Sequence, residues 1–79
     1  MLVTEDDFVK IPITIGLILR EYRKMAGMTQ KQLAKRVGVS RTMLAAYEVN
    51  KYIPPLELLR KVAHSLKMPH EAREVLYRL

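Results

Sequence analysis

The sequence predicts an all-α fold, a compact bundle of five short helices, on three observations. From Thr14 onward, apolar residues recur at the three- and four-residue spacing of one helix face. Each such stretch opens on Thr, Ser or Pro, and two of them stop at Gly. No stretch beyond that point reads as a convincing sheet, and no segment repeats.

The first helix carries Ile15, Ile18, Leu19, Tyr22, Met25 and Ala26 on one stripe. Thr14 is placed to cap its start, and Gly27 ends it. Thr29 begins the second, with Gln32 at the third helical position completing a capping box. That helix turns Leu33, Ala34 and Val37 inward and stops at Gly38. Ser40 is the N-cap of the third helix, whose inner face holds Leu44 and Tyr47 and which ends near Glu48. After a loop over residues 49–53, Pro54 and Pro55 open the fourth helix, because the fixed φ of proline suits a first turn. Its stripe is Leu56, Leu59, Val62, Ala63 and Leu66. Pro69 opens the fifth in the same way, with Ala72, Val75, Leu76 and Leu79.

Residues 1–13 share neither the charge nor the period of this body and read as an arm, leaving residues 14–79 as the helical domain. In the arm Val9, Ile11 and Ile13 alternate with Lys10 and Pro12, an extended pattern that proline confines to an edge or a turn. Thr4 followed by Asp7 is spaced to cap one helical turn ahead of it.

With 79 residues the chain suits one core, burying about 63% of the surface of the unfolded chain. It contains no cysteine, so neither disulfides nor a thiolate cage supplement that core, and a reducing compartment is permitted. Apolar runs such as residues 15–19 fall far short of the ~20 residues that span a bilayer. Glu5, Asp6 and Asp7 stand where a secretory signal carries positive charge. The expectation is a cytoplasmic protein.

Net charge is +6, and it is unevenly spread. The arm holds one basic and three acidic residues, whereas residues 14–79 hold thirteen basic and five acidic ones, a net +8. Residues 20–51 alone carry eight basic side chains against Glu21 and Glu48. A concentration of this kind points to a polyanionic partner.

That window contains two helices of about eight residues separated by a turn centred on Gly38, a helix-turn-helix arrangement. Ala34 sits where the two helices approach most closely, and a larger side chain there would force them apart. The runs REYRKMAGMTQKQLAKRVGVSRTMLAAYE and NKYIPPLELLRKVAHSL, within residues 16–68, closely resemble the lambda-repressor-like family, the Cro and XRE-type helix-turn-helix regulators. The resemblance covers about two-thirds of the chain. It implies a transcriptional regulator that binds double-stranded DNA through the major groove with its third helix. It further implies a repressor acting as a homodimer on a two-fold related operator, with half-sites one turn (~34 Å) apart, and therefore association with the nucleoid.

Carried over position by position, the resemblance makes Gln30, Ser40 and Lys51 phosphate contacts, Gln30 being helped by the free amides and dipole of its helix start. Arg41, Thr42, Ala45 and Ala46 occupy the base-reading positions. Arg41 is suited to bidentate binding of guanine O6 and N7, worth ~1–3 kcal/mol of discrimination, and its competing role is a phosphate contact without sequence information. Thr42 suits a base edge or a thymine methyl. Ala45 and Ala46 offer no hydrogen bond, only packing on thymine methyls, which implies a short base footprint with more dependence on DNA shape. Arg23 and Glu48 match a pair that ties the first helix to the end of the third, worth ~0–1 kcal/mol if both side chains are exposed. Asn50 and Lys67 replace common glycines; asparagine accepts a left-handed backbone, and Lys67 implies an altered helix end.

Other chemistries find little support. His64 and His70 lack partners for a metal site, and Glu71 with Glu74 has no accompanying nucleophile or base. Gly16, Gly27 and Gly38 form no phosphate-binding loop, and the aromatic residues are too scattered for base stacking. The reading is of a protein that is not an enzyme and uses no metal, cofactor or small-molecule ligand. Met25, Met28, Met43 and Met68 suit irregular gaps, Met43 being placed to lie against the DNA backbone. For dimerisation the first candidate is the fifth helix through Val75, Leu76, Tyr77 and Leu79; the second is the arm, packed on its own domain or a partner's. A reading from another class is a protein-interaction adaptor, since antitoxins, antirepressors and bridging coactivators are similar in fold.

Overall fold

The computed structural model describes residues 13–79, so the arm up to Pro12 and the Thr4 to Asp7 turn lie outside the described residues. Thr14 Oγ1 accepts from the Leu17 amide at 3.2 Å and starts α1, Ile15–Met25. The capping box at Thr29 is complete, with the Gln32 amide donating to Thr29 Oγ1 and the Thr29 amide donating to Gln32 Oε1. It starts α2, Gln30–Val37, which ends where Gly38 takes φ 79°. The turn that follows is short because the Gly38 and Val39 amides both donate to the Ala34 carbonyl. Ser40 Oγ then accepts from the Met43 amide and starts α3, Arg41–Glu48.

The remaining helices are α4, Leu56–Ser65, and α5, His70–Arg78. Among the described residues there are five helices and no strand. Pro55 and Pro69 stand one position earlier than the sequence predicts. They are N-caps outside the helices, with extended ψ of 151° and 156° and no side-chain cap bond. Lys67 adopts φ 51° after α4, a left-handed backbone that costs a non-glycine residue about 1–2 kcal/mol. The strain is held by the Met68 amide bonding to the Ala63 carbonyl, and by Arg73, which donates to the carbonyls of Met68 and Ala63.

One core runs through all five helices: Leu19, Leu33, Ala34, Val37, Leu44, Tyr47, Leu58, Leu59, Val62, Ala63, Leu66, Met68 and Leu76. Met28 and Val39 pack against it from the positions preceding the caps of α2 and α3, where a hydrophobic staple fixes the entry of the chain.

Inward assignments from the sequence fail in three of the helices. Met25 is 76% exposed and Ala26 is also exposed, because the inward position in the last turn of α1 is Arg23. Two residues on, Met25 points to the opposite side, about 200° around the helix. In α4 the inward arc is Leu58, Leu59, Val62, Ala63 and, at the helix end, Leu66; Leu56 lies at its edge and is exposed. In α5 the inward placement holds for Leu76, which is fully buried and therefore unavailable to a partner, and fails for Val75 and Leu79, which are exposed together with Tyr77.

Candidate nucleic-acid interface

The position of α3 is set first at its C-terminal end. There the start of α1 comes so close that a Cβ on Gly16 would lie 2.5 Å from the carbonyl oxygens of both Tyr47 and Glu48. Only the lack of a side chain permits this approach. The Gly16 amide donates to Asn50 Oδ1 at 3.0 Å, and Asn50 Nδ2 donates to Thr14 Oγ1 at 2.9 Å. Asn50 holds φ 62°, so this residue closes α3 with its backbone and helps to cap α1 with its side chain. The sequence reading anticipates the left-handed backbone. It misses the side-chain bonds and Gly16 itself, whose only signal is a glycine in the first turn of an otherwise apolar, amphipathic helix.

One turn beyond Leu19, Arg23 meets Glu48 through two hydrogen bonds, Nε to Oε2 at 2.7 Å and Nη2 to Oε1 at 3.0 Å. Its Nη1 donates to the Met28 carbonyl at 2.9 Å. This pair is buried, so the value for an exposed pair does not apply: Arg23 is 9% and Glu48 6% accessible. The difference follows from the packing of α1 across the end of α3, which shields both side chains from water. The hydrogen bonds to Glu48 hold the Arg23 guanidinium above its ordinary pKa, desolvation works against that, and the charge of Glu48 adds to the rise. Among the described residues every buried side-chain nitrogen and oxygen has a partner.

The polar network continues outward. Glu48 Oε1 also accepts from Gln30 Nε2 at 3.0 Å, and Gln30 Oε1 accepts from Arg41 Nη1 at 3.3 Å. A chain of side chains therefore runs from α1 through α3 and α2 to the first residue of α3. Gln30 is half-buried, while Ser40, Arg41, Thr42 and Met43 are exposed, and Ala45 and Ala46 are half-buried. The oxygen of Ser40 is occupied as a cap acceptor, which leaves its hydroxyl hydrogen available to donate. Lys51 lies beyond the other end of α3, about 12 Å along a helix of this length, with Nζ 5.6 Å from the centroid of the Tyr52 ring. Gln30 and Arg41 are thus brought together, and Lys51 follows the opposite end of α3 from Arg41.

Neither α2 nor α3 has an acidic residue in its first turn. Their partial positive ends remain uncompensated, an arrangement that favours phosphate. Among the described residues no group of His, Cys, Asp and Glu is arranged to hold a metal ion, and no helix is long and apolar enough to cross a membrane. His70 and Glu74 form an exposed pair at 3.1 Å on α5.

A short helix packed across α2, anchored at its far end and exposed at its N-terminal turn, defines a helix-turn-helix DNA-binding unit. The family described as Helix-turn-helix matches residues 19–72. The chain belongs to this family of Cro and XRE-type DNA-binding transcriptional regulators, which is not a class of enzymes. It is 43% identical over 53 residues to an uncharacterized HTH-type transcriptional regulator of Methanothermobacter thermautotrophicus, covering 67% of this chain and 77% of that one. A second uncharacterized HTH-type transcriptional regulator, from Archaeoglobus fulgidus, is 49% identical over 45 residues, which are 57% of this chain and 64% of that one. The immunity repressor protein of Bacillus phage phi105 is 39% identical over 54 residues, 68% of this chain but only 38% of the repressor.

Proposed function

We propose that the protein is a repressor that binds a two-fold related operator in double-stranded DNA as a homodimer in the cytoplasm, in association with the nucleoid. The helical domain over residues 14–79 carries the activity, with residues 1–13 as an arm. Arg41 and Thr42 read base edges from the exposed first turn of α3, and Ala45 and Ala46 pack on thymine methyls one turn later. Gln30, Ser40 and Lys51 position the phosphate backbone. The observation that carries the reading is the anchoring of α3: its far end is locked by the buried Arg23–Glu48 pair, while the Arg41 end is free to enter a groove. The dimer forms through the exposed part of α5, Val75, Tyr77 and Leu79.

Of the three phosphate contacts only Lys51 is charged and releases a counterion, two in a dimer, so these contacts make affinity fall roughly tenfold between about 50 and 200 mM salt. Titration of a labelled duplex selected from a random pool measures this, and sedimentation of the complex counts the copies bound. Absence of binding at low salt would overturn the reading, and one copy per site would overturn its dimeric part.

A protein-interaction adaptor is the second reading, and one observation favours it. Ile13, Tyr52, Ile53 and Leu79 line a partly apolar groove of about 230 Å³ beside the loop after α3. No duplex shift at low salt, with retention of a protein partner, is the outcome that selects it.

A further inference from the structure

We propose that the segment Phe8–Pro12 docks into the groove beside the loop after α3 on its own domain, and that the acidic run Glu5–Asp7 then lies beside Lys51 and competes with DNA phosphate for it. The docking stands on the groove and the sequence; the competition rests on the reading of Lys51 as a phosphate contact.

The groove of about 230 Å³ has Tyr52, Ile53, Leu79 and Ile13 among its walls. That volume is below the roughly 300–1,000 Å³ of small-molecule sites, and it suits a few side chains of a peptide segment. Its apolar walls face water, Ile53 being 84% and Ile13 66% exposed. Exposed apolar side chains gathered in one place, unlike single ones, mark a surface that is covered in use. Ile13 decides what covers this one. The twelve residues that precede it in the sequence enter from a wall of the groove itself. A link this short gives an effective concentration of millimolar order, which favours the tethered segment over a second copy or a foreign protein. Its composition fits, because Phe8, Val9 and Ile11 supply three apolar side chains next to Ile13. Pro12 has no backbone N–H, so a turn into the groove at that position leaves no donor unpaired.

Charge complementarity adds the second half. Glu5, Asp6 and Asp7 directly precede Phe8 and are the only acidic residues before Glu21. Lys51 Nζ stands 5.6 Å from the centroid of the Tyr52 ring, and that ring belongs to a groove wall. Among the described residues no carboxylate pairs with Lys51. With Phe8 seated against Tyr52, Asp7 and Asp6 follow at ~3.3–3.6 Å per residue, within reach of the Lys51 ammonium. Phosphate must then displace these carboxylates before it meets Lys51. The arm acts as a brake on the one charged phosphate contact.

The test uses the full chain. Phe8 is its only phenylalanine, so nuclear Overhauser contacts from that ring have one source. Contacts to the methyl groups of Ile53 and Leu79 are expected and, in a mixture of isotope-labelled and unlabelled copies, within one copy only. Their absence would overturn the docking, and contacts between copies alone would assign the groove to a second copy instead. Phe8→Ser and Ile53→Ser undock the segment without changing any charge. Each is expected to tighten binding of a selected duplex about threefold at about 50 mM salt, and to give no gain in a Lys51→Met background. Unchanged affinity, or a gain that persists without Lys51, would overturn the competition. Failure of every variant to bind DNA would overturn the DNA-binding reading, and the competition with it, while the ring contacts still decide the docking.

Discussion

The two ends of α3 are built from opposite chemistry. At the C-terminal end Tyr47 and Glu48 are buried, Arg23 reaches across from α1, and the Gly16 and Asn50 contacts leave no room for a methyl group. At the N-terminal end Ser40, Arg41 and Thr42 are exposed, and their local ties are the Ser40 cap and the 3.3 Å bond from Arg41 to Gln30. A helix of eight residues is too short to be stable alone, so it must be held by tertiary contacts. Holding it at one end leaves the other available to a ligand. Substitutions at the anchored end should change stability strongly, and substitutions at the free end should change recognition alone.

The largest effect is expected for Glu48→Ala, which strands a buried guanidinium and costs about 3 kcal/mol of unfolding free energy. Urea denaturation checks it, and a loss below about 1 kcal/mol would mean that the pair behaves as an exposed one. Asn50→Ala comes next. It removes two side-chain hydrogen bonds and leaves alanine at φ 62°, for an expected loss of about 2 kcal/mol. Asn50→Gly keeps the backbone freedom and should lose only about 1 kcal/mol, so the difference between the two melts isolates the backbone contribution. Gly16→Ala combines about 1–3 kcal/mol of overpacking with a helix-propensity gain of ~1 kcal/mol. A net destabilisation with weakened DNA binding is expected, because α3 must shift away from α1; a more stable variant would refute the close approach.

These differences also explain what the sequence disclosed. Helix starts and stops were legible at Thr14, Thr29, Gly38 and Ser40, because capping is local chemistry written in one or two residues. The inward face of α4 was legible except at its first turn, where Leu56 and Leu58 fit the stripe almost equally and packing decides for Leu58. The pairing of Arg23 with Glu48 came from family resemblance, but its burial depends on how α1 crosses α3. The link from Glu48 through Gln30 to Arg41 runs from α3 to α2 and back, and no spacing in the chain announces it. Gly16 carries no such signal, because a close approach between helices leaves no mark in periodicity.

The smallest stability change is expected at the free end, where the effect on DNA is greatest. The direct test pairs urea denaturation of Arg41→Ala with competition between its preferred duplex and a scrambled one. Stability should stay within about 0.5 kcal/mol of wild type, while the preference for the selected sequence falls about tenfold or more. A variant that unfolds more easily, or one that keeps the full preference, would contradict the assignment of α3 as a helix anchored at Glu48 and reading DNA from Arg41.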